Sequence, residues 1–261
     1  MGAVQIIQQQ LGLQVDGSLM RLHVAQPKAE GCYPGAVFFS DIYQLGEPML
    51  RLANRLAGYG YVVAAPEIFH RLERPGTVME PDGVGRLRGN ADAQATAVAA
   101  YDADARAVLD WLSQQANVDA KQLTSFGFCL GGHLALRAAL DTRVQAAVCC
   151  YPTGLQDGVL GADRADTLER LGEISGAVLT VFGSLDPHVP PAALQQVLAA
   201  FDASGINHRS ILFEADHTFM RDDGPRWDPQ AADEAWSAAM QFLADQPSGN
   251  SKLVSSSAST S

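Results

Sequence analysis

The chain has 261 residues, of which 47% are hydrophobic, and its formal net charge is −11. This length and composition fit one globular α/β domain with a single large core. A surface with a net negative charge repels phosphate backbones and anionic lipid, so we expect neither nucleic acid nor a membrane among its partners.

The cysteines and the first residues favour a reduced, cytoplasmic protein. Of the four cysteines, Cys149 and Cys150 are adjacent in an apolar run. Neighbouring side chains of a strand point to opposite faces, so this pair is unsuited to a disulfide or a metal site. The N-terminus lacks the basic region and long apolar core of a signal peptide, and no apolar run is long enough to span a bilayer.

Taken in chain order, short apolar runs alternate with longer helical patterns. The predicted strands are residues 22–25, 36–40, 61–65, 123–128, 144–151, 177–182 and 209–213. The predicted helices are residues 48–58, 91–115, 133–140, 191–203 and 229–244. Strands separated by helices indicate a mostly parallel central sheet with helices on both faces.

Two segments depart from this alternation. Residues 69–90 are rich in Gly, Pro and Arg, and we expect them to form a long loop over one end of the sheet. Residues 247–261 are polar and rich in serine, which predicts a disordered tail. The remaining residues 1–246 are then expected to form a single domain.

The most informative motif is Gly-Phe-Cys-Leu-Gly-Gly at residues 127–132, between a predicted strand and a predicted helix. A reactive side chain on such a turn, flanked by glycines, is the nucleophile elbow of α/β-hydrolases. The glycines let the strand and helix approach closely, so Cys129 stands clear of both. The alternative interpretation is a buried cysteine in a glycine-rich turn.

A cysteine nucleophile requires a base and a group that orients the base. Asp186 follows one predicted strand and His217 follows the last, so both are expected at the carboxyl edge of the sheet with Cys129. The chain order of nucleophile, acid and histidine is that of α/β-hydrolases. The rival acids, Asp216 and Glu214, are too near His217 in sequence to reach around its ring easily.

An oxyanion hole requires two backbone amides near the nucleophile. The amide of Leu130 lies at the N-terminus of the predicted elbow helix. In this fold the second amide comes from the loop after the third strand, which makes Ile42 the candidate.

These residues resemble the dienelactone hydrolase family over residues 32–243. The resemblance rests on residues 127–132, 183–187 and 217–219, with support from 41–43 and 75–77. It implies an α/β-hydrolase that cleaves a lactone or related ester with a Cys-His-Asp triad, with no metal and no other cofactor. The expected partner is a small-molecule ester or lactone, with or without a carboxylate group, and the expected state is a monomer or small homo-oligomer.

The resemblance also implies roles around the triad. Asp41 stands where the family commonly has a glutamate that contacts the resting thiol and gates its ionisation. Arg221 matches an arginine that binds a substrate carboxylate; the alternative is a surface arginine paired with Asp222 or Asp223. Arg86 and Arg88 are candidates for a second such contact.

Two other functions stay open at this point. The same triad could serve a carboxylesterase or thioesterase of broader specificity. A different class is a non-catalytic α/β-hydrolase-fold protein in which Cys129 is a thiol sensor.

Overall fold

The computed structural model of the protein describes residues 4–246. The predicted tail, residues 247–261, lies outside the described residues. The strands are β1 (Ile6–Val15), β2 (Ser18–Pro27), β3 (Tyr33–Phe39), β4 (Val62–Pro66), β5 (Val118–Phe128), β6 (Val144–Cys150), β7 (Ala177–Gly183) and β8 (His208–Phe213). The helices are α1 (Glu47–Gly58), α2 (Gly83–Ala95), α3 (Val98–Ser113), α4 (Leu130–Ala138), α5 (Pro191–Ser204) and α6 (Pro229–Ala244).

Within residues 4–246 the strands form one sheet of eight, in the order β1-β2-β4-β3-β5-β6-β7-β8. Strands β1 and β2 are antiparallel to each other, and β2 is antiparallel to β4. The neighbours from β4 through β8 are parallel. The predicted mostly parallel α/β fold is confirmed.

The central strands are apolar because both faces of the sheet are covered. Every residue of β4 and β7 is buried. Successive side chains of a strand point to opposite faces, so burial of all of them requires a layer on each side. Because β3, β5, β7 and β8 run parallel, the loops at their carboxyl ends meet at one edge of the sheet.

The predicted strand at residues 22–25 lies within β2, but its hairpin partner β1 was not expected from the sequence. Strand β1 contains Gln8, Gln9 and Gln10, all exposed, and therefore lacks the alternation that marks a half-buried strand. It pairs with β2 through a tight turn at Asp16 and Gly17, which have φ of 48° and 79°. An Asp-Gly pair is a strong hairpin signal, because both positions of this turn type require positive φ.

The prediction of a loop over residues 69–90 was wrong in its second half. Helix α2 begins at Gly83, where the side chain of Asp82 accepts a hydrogen bond from the amide of Gly85 at 2.8 Å. Its three glycines, Gly83, Gly85 and Gly89, weaken both helix propensity and apolar periodicity, which concealed it.

The prediction of a single helix over residues 91–115 was also wrong. It contains the end of α2 and all of α3. Thr96 and Ala97, between the two helices, have extended backbones with ψ of 122° and 142°.

No helix within residues 4–246 is long and apolar enough to cross a bilayer.

Candidate active site

Cys129 lies on the sharp turn between β5 and α4, with φ of 57° and ψ of −122°. This backbone conformation is strained for a residue with a side chain. The turn is possible because its glycines admit close backbone contacts: a Cβ at Gly127 would lie 1.9 Å from the carbonyl oxygen of Gly131. The cysteine is 9% exposed and its side chain lines a cavity.

His217 and Asp186 lie beside this sulfur. The Nε2 atom of His217 is 3.2 Å from Sγ of Cys129, and its Nδ1 atom is 2.6 Å from Oδ2 of Asp186. The other carboxylate oxygen of Asp186 accepts the backbone amide of His188 at 2.8 Å. The structure thus brings together three residues that are 31 and 88 positions apart in the chain.

The rival carboxylate, Asp216, is engaged elsewhere. Its Oδ1 atom accepts a hydrogen bond from the backbone amide of His217 at 2.6 Å, whereas the imidazole ring of His217 is bonded to Asp186. A carboxylate on Nδ1 fixes the ring orientation and the tautomer, so that Nε2 faces the sulfur.

Opposing effects set the pKa of His217. Burial lowers this pKa, whereas the negative charge of Cys129 and the hydrogen bonds to Asp186 and Cys129 raise it, and the net shift is upward. The raised pKa favours the protonated, positively charged form of the His217 imidazole.

Two aromatic rings that the sequence analysis did not select hold the imidazole of His217. The ring of His188 lies edge-on to it with centroids 4.5 Å apart, and the ring of Tyr151 lies edge-on at 5.3 Å. The pKa of His188 is lowered by burial and by the charge of His217, so this second imidazole is neutral when His217 is charged. Both residues follow strand ends at the carboxyl edge, a position that could have indicated them.

The two residues that carry the predicted oxyanion amides line the same cavity. Leu130 is the first residue of α4, and Ile42 lies in the loop after β3; both line the cavity with Cys129. Among the hydrogen bonds of residues 4–246, neither amide has an acceptor. Backbone amides without acceptors can stabilise a negative charge that develops beside them.

Asp41 makes no direct hydrogen bond to the thiol within residues 4–246. One of its oxygens accepts the amide of Tyr43 at 2.9 Å, and the other accepts Nη1 of Arg221 at 2.5 Å. Among the described residues, the hydrogen bond of Cys129 Sγ is to His217. Burial raises the pKa of Asp41, and Arg221 and the Tyr43 amide oppose that rise.

Arg221 is buried, in contrast to the alternative of a surface arginine. Besides Asp41, its Nε atom lies 2.8 Å from Oδ1 of Asp223, and its guanidinium covers the ring of Tyr43 at 5.0 Å. Asp222 pairs instead with Arg51. Arg221 lines the cavity, but two carboxylates already oppose its charge.

The other arginine candidates differ in position. Arg86 lines the cavity from α2. Arg88, on the same helix, pairs with Glu73 at the surface and is not among the residues that line the cavity. Arg226, which the sequence analysis did not select, also lines the cavity, with Nε 3.4 Å from Oδ2 of Asp216.

The cavity itself has a volume of about 790 Å³. Its walls come from the loop after β3, helix α2, the elbow, residues 153–161, and the loops after β7 and β8. This size is in the range of small-molecule sites. Within residues 4–246, no group of three or more His, Cys, Asp or Glu side chains is arranged to hold a metal ion.

Comparison with known proteins gives a consistent family assignment. Residues 20–246 match the dienelactone hydrolase family. A Saccharomyces cerevisiae protein named "Putative carboxymethylenebutenolidase" is 35% identical over 216 residues, which cover 79% of each chain. A Synechocystis protein of the same name is 27% identical over 224 residues, covering 85% of this chain and 89% of the relative.

A solved structure shares the fold. The crystal structure titled "Putative Dienelactone Hydrolase" from Klebsiella pneumoniae superposes with a TM-score of 0.82 at 24% identity, covering 92% of this chain and 99% of that one. The chain therefore belongs to the dienelactone hydrolase family, and it is a hydrolase with the α/β-hydrolase fold.

Proposed function

We propose that the protein hydrolyses a lactone or an activated carboxylic ester, of the carboxymethylenebutenolidase type, through an acyl-thioester on Cys129. One observation carries the proposal: the imidazole of His217 lies between Cys129 Sγ, at 3.2 Å, and Asp186, at 2.6 Å. All three residues are at most 9% exposed, and the sulfur and the imidazole line a cavity of small-molecule size.

In the first step the thiolate of Cys129 attacks the ester carbonyl carbon, and a C–S bond forms. The carbonyl oxygen takes the electron pair and is stabilised by the amides of Leu130 and Ile42. When the C=O bond re-forms, the C–O bond to the leaving group breaks, and the imidazolium of His217 donates its proton to the leaving oxygen.

In the second step His217 is the base. Once the sulfur is acylated it carries no charge, so one of the effects that raise the pKa of His217 is removed. The neutral imidazole takes a proton from water, and the resulting hydroxide attacks the thioester carbon. Collapse of this intermediate releases the carboxylic acid and restores Cys129, while Asp186 holds the ring throughout.

The leaving group limits the substrate class. A thiolate is itself a good leaving group, so the tetrahedral intermediate moves forward only if the other group departs at least as readily. Lactones with enolate leaving groups and aryl esters meet this condition, whereas amides do not. Arg86 and Arg221 are the arginines from the sequence analysis that line the cavity, and a carboxylate on the substrate would meet them there.

The decisive test replaces Cys129 by Ala and measures hydrolysis of an unsaturated lactone and of an aryl ester. We expect a loss of at least about 10³-fold in kcat, because the nucleophile is removed. The matched control is Cys32→Ala, since Cys32 is an exposed free cysteine and its loss should leave the rate unchanged. Undiminished turnover by the Cys129 variant would refute the proposed chemistry.

A broader esterase or thioesterase function on the same triad is the second candidate. The cavity of about 790 Å³ has room for acyl groups larger than a small lactone. A panel of lactones, aryl esters and thioesters, compared by kcat/KM, separates the two. A thiol sensor would instead react with alkylating agents and would hydrolyse none of these lactones, esters or thioesters.

A further inference from the structure

Helix α2 contacts the loop that carries the Ile42 amide, and the contact is made at Gly89. A Cβ atom at Gly89 would lie 2.4 Å from the carbonyl oxygen of Ile42 and 3.1 Å from its carbonyl carbon. Both distances are shorter than van der Waals contact, so only glycine fits at this point without displacing the loop.

The same loop is equally close to a second glycine. A Cβ at Gly131, on helix α4, would lie 2.3 Å from the carbonyl oxygen of Ser40 and 2.5 Å from that of Phe39. Two helices therefore approach the segment 39–42 closely, each at a glycine. Helix α4 carries the first oxyanion amide, and helix α2 confines the segment that carries the second.

The position of the Ile42 carbonyl affects the amide of the same residue. The peptide between Ile42 and Tyr43 has its oxygen against Gly89 and its N–H bonded to Asp41 at 2.9 Å. A displacement of this peptide breaks that bond or turns the backbone at Ile42, and either change re-aims the Ile42 amide. Catalytic donors lose their effect when they are misplaced by about 1 Å.

We propose that Gly89 is a positioning residue for the oxyanion hole, and that helix α2 sets the direction of the Ile42 amide through this contact. The inference rests on the proposed function, in which Ile42 is a donor to the oxyanion. It extends that function, because α2 also presents Arg86 and Asn90 to the cavity. One helix then links the wall that meets the substrate to the loop that stabilises the oxyanion.

The test compares Gly89→Ala with Gly58→Ala. A Cβ at Gly58, which lies in α1, meets nothing within 4 Å, so the control adds the same methyl group to a helix without a steric conflict. We expect kcat of Gly89→Ala to fall by about 10- to 10³-fold, since removal of one oxyanion donor has an effect of about 10²- to 10³-fold. KM should change much less, and Gly58→Ala should match the wild type.

A second readout separates positioning from general damage. Alkylation of Cys129 by iodoacetamide forms no oxyanion, so its rate should be unchanged in Gly89→Ala. Wild-type kcat in Gly89→Ala, or equal losses of alkylation and hydrolysis, would overturn the proposal. If Cys129→Ala stays active, the proposed function fails; if it is inactive while Gly89→Ala keeps full kcat, only the present inference fails.

Should Gly89→Ala not fold, the cap of α2 supplies an independent test. Asp82→Ala removes the side chain that accepts the Gly85 amide, whereas Asp82→Asn keeps an oxygen acceptor at this position. We expect a lower kcat with normal alkylation in Asp82→Ala and recovery in Asp82→Asn. Equal kcat in the two variants would overturn the proposal.

Discussion

The sulfur of Cys129 lies 3.2 Å from Nε2 of His217, so the charge on one group affects the other. Burial lowers the pKa of His217, and the charge of Cys129 with the hydrogen bond to Asp186 raises it above its ordinary value of 6.5. The imidazolium therefore persists in the resting protein at a pH where a free histidine is neutral.

Replacement of Cys129 by Ser should lower the pKa of His217. The serine hydroxyl stays neutral, so burial is then opposed by Asp186 without the sulfur charge. As pH rises, the imidazolium should be lost earlier in the variant than in the wild type. An NMR titration of labelled histidine measures both values, and an equal or higher pKa in the variant would show that the sulfur carries no charge.

Replacement of Asp186 by Asn should lower kcat by about 10²- to 10⁴-fold, because the ring loses its charged partner and its preferred tautomer. The amide oxygen can still accept the His188 amide, so the local loop is preserved. Asp216→Asn is the matched control, since Asp216 bonds the backbone of His217 and not its ring. Steady-state kinetics at neutral pH compares them; a larger loss in the Asp216 variant would reverse the assignment.

At the scale of secondary-structure elements, the stability of the β1–β2 hairpin depends on its turn. Gly17 has φ of 79°, and a Cβ there would meet nothing within 4 Å. Gly17→Ala should therefore lower the free energy of unfolding by about 1 kcal/mol through backbone strain alone. Gly172→Ala, equally uncrowded but without positive φ, is the control, and urea midpoints measure both. Equal midpoints would mean that the hairpin contributes no cooperative stability.

Helix α2 shows how an element with weak local signals acquires a role. It lacks an apolar stripe, and its glycines lower its intrinsic propensity. Its tertiary contacts include the close approach of Gly89 to Ile42, and Asp82 caps its first turn. Its glycines therefore serve a tertiary contact.

Across the molecule, the ion pair between Asp41 and Arg221 joins residues 180 positions apart. Both side chains are at most 4% exposed, so the pair has little contact with bulk water. Arg221→Met should lower the free energy of unfolding by about 3–5 kcal/mol, because it leaves a buried carboxylate without its cation.

The double variant Asp41→Asn with Arg221→Met should lose less than the sum of the two single variants. The asparagine side-chain oxygen can still accept the Tyr43 amide, but it has no negative charge that requires the positive charge of Arg221. Urea unfolding of all four proteins measures the coupling. Additive losses would indicate that the pair does not act as a unit.

The sequence was sufficient for the features that follow from local rules. Strand–helix alternation predicts the parallel sheet, and the glycines around Cys129 predict a turn that exposes a nucleophile. Asp186 and His217 could be selected because parallel strands bring their carboxyl ends to one edge. The three side chains do lie close together, so their geometry agrees with that expectation.

Other features depended on the tertiary structure. Asp41 bonds Arg221 and not the thiol, Arg86 faces the cavity while Arg88 faces Glu73, and Gly89 touches Ile42. Each is a contact between segments far apart in the chain or a choice of direction around one helix. Short-range patterns encode backbone conformation and burial, whereas the partner of a buried charge and the facing of a glycine-rich helix are decided only when the segments pack together.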